Sequence, residues 1–231
     1  MKYRAEFKNE KEVASFFSYF LKQLPSRADG RTTFHVESAM FAQFILNSLG
    51  AGLWSYPATV VYDDKPDFEI YSSKGSIGVE ITEQKNKNYG HALSLLENSD
   101  GFLEKSDFEY SDSESKIKGR ELARLVSKKE ITGPPSMGLK EERNWVIRTV
   151  STVLEKWKKY INYPRYKEYD LNILVIFDVR PESPIFDDLT DEMKNELFSL
   201  GNKTEFSQII CIDSKYVTID LMNRNFVVEN C

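Results

Sequence analysis

The chain has 231 residues, 41% of them hydrophobic and 13% aromatic, enough to bury a substantial core within one large domain. Its 31 Lys and Arg against 36 Asp and Glu give a net charge of -5, which excludes a global basic signal for nucleic acid and leaves any such signal to local patches. Two cysteines, Cys211 and Cys231, offer no disulfide framework and no metal-ligand spacing. With a charged opening MKYRAEFKNEKE and no apolar run of membrane-spanning length, the expectation is a cytoplasmic protein with no membrane partner.

In chain order, Val13, Phe16, Phe17, Phe20, Leu21 and Leu24 recur at helical spacing after Asn9. They predict a packing helix over 11–24 that Pro25 ends. The turn pair Asp29-Gly30 follows, and Thr32 or Thr33 caps a second helix bearing Phe34, Met40, Phe41, Phe44, Ile45 and Leu49, with Gly50 at its end. Glu37 lies in the first turns of that helix, at the edge of its apolar stripe. Strands are predicted at Thr59 to Tyr62, Phe68 to Tyr71 and Ile77 to Thr82. The short polar separators between them imply an antiparallel meander.

Within the stretch DDKPDFEIYSSKGSIGVEITEQ, from Asp63 to Gln84, two strands each carry an acid. One is Asp67 after Pro66; the other is Glu80 inside Gly78-Val79-Glu80-Ile81-Thr82. Period-two alternation puts Glu80 and Thr82 on one face, with Gln84 beside them if the strand continues, while Val79 and Ile81 take the other. Carboxylates that meet across paired strands hold a divalent cation or repel each other. The competing reading is a solvated hairpin face, with Asp67 a turn residue and Glu37 an acid favoured by its helix dipole. Glu69 shares a face with Asp67, as an accessory ligand or a decoy, whereas Glu83 faces away.

Residues 97–135 form a charged insertion. Acids dominate from Glu97 to Glu114, and then Lys116, Lys118, Arg120, Arg124, Lys128 and Lys129 form a basic run, read either as a solvated helix face or as a contact for phosphate. Lys140 to Tyr160 is the longest predicted helix, with Trp145, Val150, Val153, Leu154 and Trp157 recurring at three- and four-residue steps and Lys156, Lys158 and Lys159 near its end. LNILVIFDV, Leu171 to Val179, predicts a buried central strand. A helix from Asp187 to Leu200 and C-terminal strands within 207–228 complete a single α/β domain over 1–231, a mixed central sheet flanked by helices.

The order helix, three-stranded meander, helix, strand, together with Pro66-Asp67 and, after 12 intervening residues, Glu80-Ile81-Thr82, resembles the core of the PD-(D/E)XK nuclease superfamily. The resemblance implies a restriction-endonuclease-like core and a hydrolase, an endonuclease or exonuclease that cuts DNA phosphodiesters, with RNA not excluded and a homodimer left open. It implies Mg2+ or Mn2+ held by Asp67, Glu80 and Glu37 with the carbonyl of Ile81, and backbone contacts from the basic run and Lys156. Thr82 stands where the family pattern has a lysine. A threonine hydroxyl can hydrogen-bond water but brings no cation. Gln84 is therefore the first candidate to assist, followed by Lys85 and by Lys156 or Lys159 from the long helix. The alternatives are a catalytically inactive nuclease-fold module that binds nucleic acid or a protein partner, and an α/β interaction domain with no nucleic-acid role. With only His35 and His91, a histidine-based site is disfavoured, and no Gly-rich phosphate loop is present.

Overall fold

A computed structural model describes residues 3–25, 30–63, 65–84, 124, 140–161, 169–178, 185–213 and 215–230. The basic-run residues Lys116, Lys118, Arg120, Lys128 and Lys129, together with Lys85, lie outside the described residues, while Arg124 is described and exposed.

The described residues build one mixed eight-stranded sheet and four α-helices. Strand order follows chain order: β1 (Tyr3–Phe7), β2 (Ala58–Tyr62), β3 (Phe68–Ser72), β4 (Gly75–Gln84), β5 (Leu171–Asp178), β6 (Gln208–Ile212), β7 (Lys215–Asp220) and β8 (Asn225–Asn230). All neighbours pair antiparallel except β4 with β5 and β5 with β6, which are parallel. The predicted meander is therefore present. Strand β5, buried from Asn172 to Asp178, runs at the centre of the sheet as its unbroken apolar sequence requires.

Two helices cover each face. Helices α1 (Glu10–Lys22) and α2 (Thr33–Asn47) pack with Phe68, Ile70, Val79, Ile81 and Val175 into one core, where Phe41 stacks on Phe68 with ring centroids 3.8 Å apart. Helices α3 (Lys140–Ile161) and α4 (Asp191–Phe198) build a second core with Leu174, Ile176, Ile209 and Ile219 on the opposite face. Local chemistry sets the helix starts. The Asn9 side chain accepts from the Glu12 N–H at 3.1 Å, and the Thr32 N–H donates to His35 Nδ1 at 3.1 Å. Among the described residues, no helix is long and apolar enough to cross a membrane.

One strand was not anticipated, and one expectation is corrected. Tyr3–Phe7, too short and charged to stand out as a strand, becomes one by pairing with β2 at the sheet edge. The helix predicted from Asp187 is broken: Phe186–Asp188 is a 3-10 turn, Leu189 is extended at φ -63° and ψ 115°, and the helix begins only after Thr190, whose side chain accepts from the Met193 N–H. Burying Leu189 against α3 and the sheet outweighs its helical propensity. Since Phe41 is wholly buried and stacked on β3, Phe41→Ala should cost about 3–5 kcal/mol of unfolding free energy, measured by chemical denaturation.

Candidate functional site

Alternation along β4 decides which side chains can meet. Val79 and Ile81 point into the core beneath α2, so Glu80, Thr82 and Gln84 face α3. Glu80 is 8% exposed, and Lys156, on the sheet-facing side of α3, places its Nζ 2.6 Å from Glu80 Oε1. Asp67 immediately precedes β3, also 8% exposed, and its Oδ2 accepts from the Ile81 N–H at 2.7 Å. The two acids on adjacent strands thus belong to one buried cluster.

The electrostatics of that cluster are legible in Asp67. Its carboxyl is pushed up to about 8, first by burial and then by the Glu80 charge, with a smaller contribution from Glu37; the Lys156 ammonium and the Ile81 N–H oppose the rise. Glu37 comes from α2 as expected, half-buried, and accepts from the Tyr62 hydroxyl at 2.9 Å. It influences Asp67 without closing a ring of ligands: among the described residues, no three Asp, Glu, His or Cys side chains form a ready metal cluster. The structure therefore brings Asp67, Glu80 and Lys156 together and leaves Glu37 as an outlying acid.

The remaining predicted residues have distinct fates. Thr82 is half-buried beside the cluster. Gln84 is buried at 7% exposure, and among the described residues neither atom of its amide has a hydrogen-bond partner. Among the described residues, Lys156, also a candidate from the sequence, is the cation placed beside Glu80. Lys159 is exposed. Glu69, which shares a face with Asp67, is buried, and its two oxygens accept from the hydroxyls of Tyr71 and Tyr169.

Several residues around the site escaped the sequence reading. Tyr169 reaches Glu69 by crossing β4 at Gly78, where a Cβ atom would lie 2.6 Å from the Tyr169 ring. Beside it, Asn172 accepts from the Tyr160 hydroxyl at 3.1 Å, and burial together with the charges of Glu205 and Glu80 pushes that phenol up to about 12. A glycine interrupting an alternating strand was the available signal, since it marks a close approach by another group.

Chemically, the arrangement offers two buried carboxylates, hard oxygen donors suited to Mg2+ or Mn2+, with a fixed ammonium alongside. The donor set fits such an ion, because a divalent charge would offset both causes of the Asp67 rise, the burial of its charge and the repulsion from Glu80. Compared with family models, curated proteins and solved structures, the chain matches none.

The Asp67 shift sets a pH dependence. Between the ordinary value of 3.8 and about 8, the native carboxyl holds its proton more tightly than the unfolded one, so stability falls as pH rises through that window. In chelator-treated protein, the difference in unfolding free energy between wild type and Asp67→Asn, which cancels the titrating groups remote from Asp67, should move against the wild type from pH 4 to pH 8. A difference that stays flat would show that Asp67 titrates normally.

Proposed function

We propose that the protein is a metal-dependent nuclease of restriction-endonuclease-like architecture, which hydrolyses DNA phosphodiester bonds. The observation that carries this reading is the meeting of Asp67, Glu80 and Lys156 in one buried cluster at the β3–β4 pair, with Lys156 Nζ 2.6 Å from Glu80. An acid before one strand, an acid within the next and a cation are the three charges of the PD-(D/E)XK pattern. Here the cation is delivered from α3, while Thr82 occupies the usual lysine position on β4.

Asp67 and Glu80 would hold Mg2+ or Mn2+, with Glu37 adding negative charge from the α2 side. Such an ion supplies positive charge to a scissile phosphate and lowers the barrier to attack by water. Lys156 then has two tasks. Before substrate arrives it balances Glu80 in a charge-assisted hydrogen bond; with a phosphate present, its ammonium stabilises charge developing on the non-bridging oxygens. Thr82 contributes a hydroxyl that can orient water, a weaker service than a second cation. The Ile81 N–H holds Asp67 Oδ2, which fixes the carboxylate's orientation independently of the metal.

Supercoiled and linear DNA incubated with Mn2+ or Mg2+ provide the test. Wild type should cut. Asp67→Ala and Glu80→Ala should each abolish cutting to background, and Lys156→Met should lower kcat by roughly 10²–10³-fold, the range for loss of one preorganised charge-stabilising group. Wild-type protein that cuts neither substrate with either ion, or an Asp67→Ala variant that still cuts, would sink the reading. Salt-sensitive DNA binding without cleavage would instead favour the inactive module.

A further inference from the structure

We infer that Tyr160 and Asn172 are positioning residues for Lys156, their hydrogen bond fixing the setting of α3 over β4 and hence the reach of the ammonium to Glu80. The inference rests on the nuclease reading of the site and deepens it by naming what holds its cation in place.

A lysine amine sits on a flexible four-carbon stem, so one ion pair does little to fix the helix that carries it. Tyr160 is the residue one turn further along the same helical face, and its hydroxyl donates to Asn172 Oδ1 at 3.1 Å. Asn172 is buried on β5 and pairs in register with Gly78, two residues before Glu80 on β4. The spacings agree. Four helical residues rise about 6 Å, and two strand residues about 6.6 Å, so the Lys156–Glu80 and Tyr160–Asn172 contacts are satisfied together at one axial setting of an antiparallel helix. Rotation is restrained as well, since Phe206, outside the helix, meets the rings of Tyr160 and Trp157 edge-on at 5.6 and 5.8 Å.

Gly78 makes room for this anchor. A Cβ atom there would stand 3.0 Å from Asn172 Oδ1 as well as 2.6 Å from the Tyr169 ring, displacing the acceptor that Tyr160 uses. Tyr160, Asn172 and Gly78 thus act through Lys156.

Tyr160→Phe keeps the ring in its aromatic stack and deletes only the donor; Asn172→Leu deletes the acceptor. Brief acetylation with acetic anhydride followed by peptide mass mapping reports how accessible each lysine amine is, without requiring turnover. Lys156 should be modified roughly fivefold faster in either variant, as expected for loss of one hydrogen bond, and the double variant should be no faster than the singles. Lys158 and Lys159 should be unchanged throughout. In Mn2+-dependent cleavage, the same variants should lose kcat by a similar factor at unchanged KM. Equal Lys156 modification in wild type and Tyr160→Phe, or additive effects in the double variant, would overturn the positioning claim. A wild type that cuts no DNA would overturn the nuclease reading, while the labelling comparison would still decide whether Tyr160 sets Lys156.

Discussion

Two carboxylates, Asp67 and Glu80, are held on neighbouring strands in a nearly dry part of the fold, and the surrounding structure answers their repulsion. Burial favours a neutral Asp67 and so does the charge of Glu80; the Ile81 N–H and the Lys156 ammonium work in the other direction. Replacing this cluster with apolar side chains would cost the fold little or even stabilise it, because buried ion pairs seldom repay their desolvation. Such a cluster beside a well-packed aliphatic core is the feature on which the proposed chemistry rests. The third acid on this face, Glu69, shows the contrast, with both carboxylate oxygens taken by tyrosine hydroxyls.

The architecture explains how the charges converge. Strands β4, β5 and β6 run parallel, so the chain must cross between β4 and β5, and α3 makes the described part of that crossing. A helix returning antiparallel to β4 lays successive turns over successive pairs of strand residues, bringing Lys156 to Glu80 and Tyr160 to Asn172. On the other side, the β3–β4 turn brings Asp67 back beside Glu80, while α2 delivers Glu37 to Tyr62. Glu80 and Lys156 thus reach the site on separate rigid elements and Asp67 from the residue before β3, while Glu37 stays outlying.

Much of this was legible in the sequence because it is local. Period-two alternation in GVEIT fixed the facing of Glu80, the polar separators fixed the meander, and the apolar run LNILVIF fixed the central strand. What could not be read depends on contacts between distant residues. Tyr3–Phe7 becomes a strand through its pairing with β2, and Leu189 leaves the helical pattern to fill the core. The same limit applied to the cation. Alternation aims Gln84 along the face of Glu80, and it does lie buried there, but the ammonium arrives from a helix 76 residues away in sequence, at a distance set by the packing of α3. Lys156 and Lys159 were indistinguishable by charge; the sheet-facing side of the helix separates them.

The central claim is that Asp67 and Glu80 jointly hold a divalent cation. Anomalous diffraction from crystals soaked in Mn2+ tests it most directly. A peak bridging the Asp67 and Glu80 carboxylates, at metal–oxygen distances of about 2.0–2.6 Å, is the predicted result. Strong Mn2+ peaks elsewhere, with none between these two residues and the Lys156–Glu80 contact intact, would contradict it.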